Sequence, residues 1–122
     1  MSLAVIHRND VTLVGRLSAA ATERTLPSGD LVVSWRVVVQ RPPDARRSTI
    51  TVDTIDCVAR TPALGRRALS WLPGDTMEMT GALRRRFWRG QGGVRSRYEV
   101  EVAGARRVAR SATGGGAQSS SA

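Results

Sequence analysis

The sequence predicts an all-β domain: a five-stranded Greek-key barrel with one short helix between its third and fourth strands. Three observations carry that expectation. Apolar and polar residues alternate with period two along most of the chain. One stretch, Thr61 to Leu72, replaces the alternation with helix signals. The resulting order is strand, strand, strand, helix, strand, strand, whereas a β-sandwich wants about seven strands.

The first strand lies in "VTLVGRL", where Val11, Leu13, Gly15 and Leu17 alternate with Thr12, Val14 and Arg16. "SAAATERTLPSGD" then connects, with a turn at Pro27-Ser28-Gly29. In "LVVSWRVVVQR" the β-branched run places Leu31, Val33, Trp35, Val37 and Val39 on one face. Ser34, Arg36 and Gln40 occupy the other, which is solvated. "PPDARRS" ends this strand, because proline cannot donate to a ladder.

The third strand, "TITVDTIDCVA", contains a parity fault. Ile50 and Val52 point one way, and Ile55, Cys57 and Ala59 the other, so a bulge near Asp53-Thr54 is expected to bring both sets to the core. In the helix, Thr61 suits the N-cap, Pro62 the first position, and Pro73-Gly74 the stop. Leu64, Ala68 and Leu72 share its apolar stripe. "DTMEMTGALRRRFW" and "RSRYEVEVAGARRV", joined by "RGQGG", complete the barrel. This is the strand order of an OB-fold. The domain is expected to span 1–110, and the uncharged "SATGGGAQSSSA", 111–122, to be a flexible tail.

The net charge of +9 and pI near 11.7 point to a polyanionic partner. All 19 basic residues are arginine, whose planar fork holds phosphate bidentately and stacks on bases. A high-G+C coding bias also accounts for arginine over lysine, but it leaves the net charge unexplained. A lone Cys57 excludes an internal disulfide and suits a reducing compartment. The apolar run before His7 is too short for a signal peptide, and no stretch reaches membrane-spanning length, so a cytoplasmic protein is expected.

Alternation along the fourth strand sends Arg84, Arg86 and Trp88 to one face and Leu83, Arg85 and Phe87 to the other. The first set joins cations for phosphates to a flat ring for bases, as a single strand requires. Phe87 shares the parity of Met79 and is assigned to the core, as are Trp35 and Trp71. Arg36 lies on the solvated face of the second strand. Arg41, Arg46 and Arg47 follow that strand, and Arg89, Arg95 and Arg97 surround the last turn, where OB-fold loops grip oligonucleotides. No catalytic constellation emerges. His7 is the sole histidine, the spacing of Asp53, Asp56, Cys57 and His7 fits no metal-ligand pattern, and no phosphate loop is present. Neither enzymatic activity nor a cofactor is expected.

Five segments in register, "NDVTLVGRL" (9–17), "PSGDLVVSWRVVV" (27–39), "TIDCVA" (54–59), "WLPGDTMEMTGALRRRFW" (71–88) and "VRSRYEVEV" (94–102), resemble the bacterial single-stranded DNA-binding proteins. The resemblance implies an OB-fold, usually a homotetramer, that binds single-stranded DNA without marked sequence preference or a cofactor, in replication, repair or recombination. Of the family's stacking aromatics, it carries one to Trp88. The others fall near Pro43, Thr54 and Arg60, and the guanidinium of Arg60 can still stack on a base and reach a phosphate. The family's acidic C-terminal tip has no counterpart in "AQSSSA", so recruitment of partners through it is not supported. The pattern is that of a short paralogue. Two other readings stay open at this level: an OB-fold interaction or oligomerisation module that has lost most stacking, and an RNA-binding OB-fold.

Overall fold

The computed structural model describes residues 6–111. Its elements are β1 (Val11–Leu17), β2 (Thr22–Thr25), β3 (Leu31–Gln40), β4 (Val52–Ala59), α1 (Pro62–Leu69), β5 (Thr76–Gly90) and β6 (Gly93–Ala109), with a 3-10 turn at Pro43–Ala45. The sheet order is β1-β5-β6-β4-β3-β2. β1 also pairs with β3, Arg16 facing Val38 and Leu17 facing Val37, and this contact closes the sheet on itself. Every pairing in the circuit is antiparallel except β4 with β6. The closed barrel with a helix before β5 is the expected OB-fold. Among the described residues no helix is long and apolar enough to cross a membrane.

Three local expectations need correction. β2 lies inside the segment read as a connection. Its residues are polar and exposed, so it carries no alternation signal, and the turn beyond it lays it against β3 from Thr22–Ser34 to Thr25–Leu31. β4 has no bulge: its register with β3 runs unbroken from Gln40–Val52 to Val33–Ala59. Ile55, Cys57 and Ala59 face the interior, while Ile50 and Val52 stay at the surface, so the parity fault marks where the core begins. Leu72 is exposed because α1 ends at Leu69, and Trp71 fills the position beneath instead.

The bulges lie between β5 and β6, where the register shifts at Thr76/Met77 and at Thr80/Gly81. At the second shift the strands approach so closely that a Cβ on Gly81 would sit 2.0 Å from the carbonyl oxygen of Glu101. Only glycine fits there.

Inside the barrel, Leu17, Val33, Val37, Met77, Met79, Val100 and Val102 pack around two tryptophans. Trp35 and Trp71 meet edge to face, with ring centroids 5.2 Å apart, and the Trp35 indole N–H donates to Met79 Sδ at 3.4 Å. Burying each such side chain contributes about 1.5–3 kcal/mol, and the indole polar edge is satisfied as burial requires. Both tryptophans are structural, as their sequence positions suggested.

Asp75, 1% exposed, locks the end of the barrel. Its carboxylate accepts the backbone N–H of Leu72 at 3.0 Å and of Ser111 at 2.7 Å, with Arg107 Nη1 3.5 Å away. Ser111 is therefore part of the fold, one residue past the expected boundary; the rest of the expected tail, including its C-terminal tip, lies outside the described residues. Burial alone would raise the Asp75 carboxyl, but the two N–H donors and Arg107 outweigh it and hold the group below its ordinary value. A lowered folded-state value stabilises the fold at pH above the unfolded aspartate value, and that stability is lost as pH falls through the folded one. Urea titrations from pH 6 down to 2 should thus show the parent losing stability more steeply below about pH 4 than Asp75→Asn, which is less stable at pH 6 and flatter on the acid side. Equal acid slopes in the two proteins would remove Asp75 from the titration.

Candidate nucleic-acid interface

β1 pairs with β5 only as far as Val11–Gly81. At Leu83 the Asn9 side chain takes over, donating to the backbone carbonyl at 2.7 Å and accepting the N–H at 2.8 Å. From Arg84 to Gly90, β5 therefore pairs with β6 alone, down to the Gly90–Gly93 pair. The turn between them uses Gly92 at φ 85°, a conformation glycine adopts without a Cβ clash. The result is a two-stranded arm with both faces presented outward.

On one face of the arm stand Arg84, Arg86 and Trp88, opposite Glu99, Arg97 and Arg95 respectively. The Trp88 indole is 38% exposed. The guanidinium carbons of Arg86 and Arg97 lie 5.9 and 5.8 Å from its ring centroid, within cation–π range. Arg24, on β2, completes a depression with these three side chains. Through Arg97 it continues into a second depression lined by Ser18 to Ala20, Thr22, Ser34 to Arg36, Asp56, Cys57 and Glu99, with the buried Trp35 ring at its wall. Together they form one groove across the barrel, from Arg36 to Trp88.

Two carboxylates organise the groove's cations. Glu99 is 4% exposed, and Arg60, Arg86 and Arg97 come within 3.8, 3.7 and 3.9 Å of it. Asp56 takes Arg36 Nε at 2.8 Å and Arg97 Nη1 at 3.9 Å. Arg24 has no acidic partner among the described residues, so four groove guanidinium groups, with Arg60 reaching Glu99 from outside, meet two carboxylates and positive charge remains in excess. Cys57 contributes only a wall. Burial first, then the Asp56 and Glu99 carboxylates, push its thiol up to about 12, so it stays protonated and unreactive at neutral pH.

The remaining sequence candidates sit elsewhere. Arg84 shares the parity of Arg86 but bonds Glu101 at 3.2 Å and lines a separate depression beside Asn9 to Thr12. Arg41 is clamped on Asp53 through Nε and Nη2, the latter at 2.7 Å, and this hydrogen bond holds the Asp53 carboxyl below its ordinary value. Arg47 donates to the carbonyls of its own loop at Asp44 and Arg46. Arg46 and Arg89 are exposed and have no acidic partner among the described residues. The groove thus gathers Trp88, Arg86, Arg97 and Arg36, while Arg60 reaches Glu99 from a separate depression beside Leu31 and Pro62, and Arg84, Arg41, Arg46, Arg47 and Arg89 lie outside the lining.

Sequence reasoning missed Arg24, because a four-residue polar strand has no periodic signature. It also misassigned Phe87. That ring is 60% exposed and not in the core: its parity matches Met79, but the arm has left the barrel by position 87, so nothing covers that face. The length of "RRRFWRGQGGVRSR", a run without apolar alternation, was the available signal that the hairpin projects.

The fold resembles that of a Plasmodium falciparum SSB solved in complex with ssDNA, at 15% identity and a TM-score of 0.71, covering 87% of this chain and 99% of that one. No curated protein sequence matches. An arginine-lined groove with an exposed indole, on an OB barrel whose residues 8–108 match the single-strand binding protein family, leaves one assignment: the chain belongs to that family.

Proposed function

We propose that this single-strand binding protein holds single-stranded DNA along the groove from Arg36 to Trp88, with arginines on the phosphates and the indole under a base. The observation that carries the reading is the exposed Trp88 ring, fixed beside Arg86 and Arg97 at the end of a groove with excess positive charge. Binding of this kind tolerates any sequence, since every base has a π-face. The family is a non-catalytic DNA-binding one whose general settings are replication and repair, and we read this chain the same way. A cytoplasmic homotetramer is the assembly and location we propose with it, on the strength of the resemblance.

Salt dependence tests the groove. Each phosphate neutralised on a single strand contributes a log–log slope of about −0.7. Arg24 is the cleanest probe, because removing it strands no carboxylate; Arg86→Gln leaves Glu99 with Arg60 and Arg97. Either substitution should flatten the slope for poly(dT) by roughly 0.7, while Arg84→Gln changes it less. A competition gel shift at moderate salt should show the parent preferring single strands to duplex. Equal affinity for both forms, with unchanged slopes in the groove variants, would reduce the interaction to generic charge attraction and sink the reading.

A further inference from the structure

The arm carries a second aromatic surface on the face opposite Trp88. Alternation places Leu83, Arg85, Phe87 and Arg89 there on β5, and the register sets Tyr98 across from Arg85, Ser96 from Phe87 and Val94 from Arg89. Phe87 is 60% exposed and Tyr98 58%. The Arg85 guanidinium lies 5.0 Å from the Phe87 centroid and 5.6 Å from that of Tyr98, and Nη2 donates to Ser96 Oγ at 3.2 Å. A planar cation is thus held against two rings.

Charge separates this face from the other. The Trp88 face has Glu99 and Glu101 among its residues, each paired with arginine. The Phe87 face of the arm has no carboxylate, and among the described residues neither Arg85 nor Arg89 has an acidic partner within 4.0 Å. Two uncompensated guanidinium groups beside two exposed rings are what a single strand needs, and an apolar protein partner would have to bury those charges unpaired. A guanidinium stacked on a ring also offers its outer plane to a base and its N–H groups to a phosphate.

We propose that this face is a second stacking surface for single-stranded nucleic acid. A strand that leaves the Trp88 groove passes round the arm and lies on Arg85, Phe87 and Tyr98, so the arm is gripped on both faces. The inference rests on the groove itself binding single strands.

The test uses two oligo(dT) probes, one of about eight nucleotides that fills a single OB-fold site and one of about thirty that extends beyond it. The double variant Phe87→Ala, Tyr98→Ala should bind the short probe within twofold of the parent and the long probe roughly tenfold more weakly, the effect of losing one modest stack. Its mass by light scattering should be unchanged. Arg85→Gln with Arg89→Gln should flatten the salt slope for the long probe only. An unaltered long-probe affinity in both variants overturns the proposal. So does a drop in oligomeric mass in the aromatic variant, which would make this face a contact between copies. Trp88→Ala separates the two sites, since it weakens the short probe as well. A parent that binds neither probe removes the groove reading and this one together.

Discussion

Trp88→Ala is expected to weaken binding to oligo(dT) by roughly 5- to 150-fold, corresponding to the ~1–3 kcal/mol that one base–aromatic stack is worth. The ring sits on the arm, outside the barrel's packed interior, so the variant should fold with the parent's thermal midpoint. Arg86 and Arg97 remain anchored by Glu99 and Asp56 after the ring is gone, so the electrostatic part of binding persists. The salt slope should therefore be preserved while the affinity falls. Fluorescence gives a second readout. Trp35 and Trp71 are buried against each other, and Trp35 reaches the groove only at its wall, so most DNA-dependent quenching originates at Trp88 and should be largely lost in the alanine variant. Trp88→Phe should recover most of the affinity. An alanine variant that binds within twofold of the parent would take Trp88 out of the interface.

Gly81→Ala is expected to destabilise the fold by roughly 2–4 kcal/mol, as an overpacked backbone contact does. The offending atom is a main-chain oxygen, that of Glu101, and it cannot swing aside as a flexible side chain would. Relief requires the two longest strands to separate at the register shift, which is where the arm departs from the barrel. The urea midpoint should fall accordingly. Gly104→Ala is the control: its Cβ meets only the Thr80 hydroxyl at 3.2 Å, and the loss there should be well under half as large. Similar midpoints for both variants would mean that the strands part at little cost. Gly81→Ala should also lower DNA affinity once folded, since it alters the angle at which Trp88 approaches Arg24 on β2.

Much of this was legible in the residues. Alternation in "LVVSWRVVV" placed Trp35 in the core, and the parity of "RRRFW" set Arg86 and Trp88 together on a face opposite Phe87. Parity says which side a residue faces, however, and not whether anything lies on that side. Phe87 and Met79 have the same parity, yet Met79 is buried and Phe87 exposed, because β1 accompanies β5 only to Gly81. Likewise Arg84 and Arg86 are equivalent in the sequence. They diverge in the fold because Glu101 captures one while Glu99 and Trp88 hold the other.

The amino-acid sequence by itself determined the order of the five apolar strands, the helix and the aromatic–arginine strip, all of which follow from local periodicity and turn chemistry; the polar β2 was outside its reach. The tertiary structure alone decided which four arginines line the groove. Arg24, Arg36, Arg86 and Arg97 come from β2, β3, β5 and β6, with Arg60 after β4 reaching Glu99 from beside them, and only the closed sheet brings those strands alongside one another. Their assembly depends on Glu99 and Asp56, two carboxylates that hold guanidinium groups from different strands at one site through contacts that no local pattern encodes.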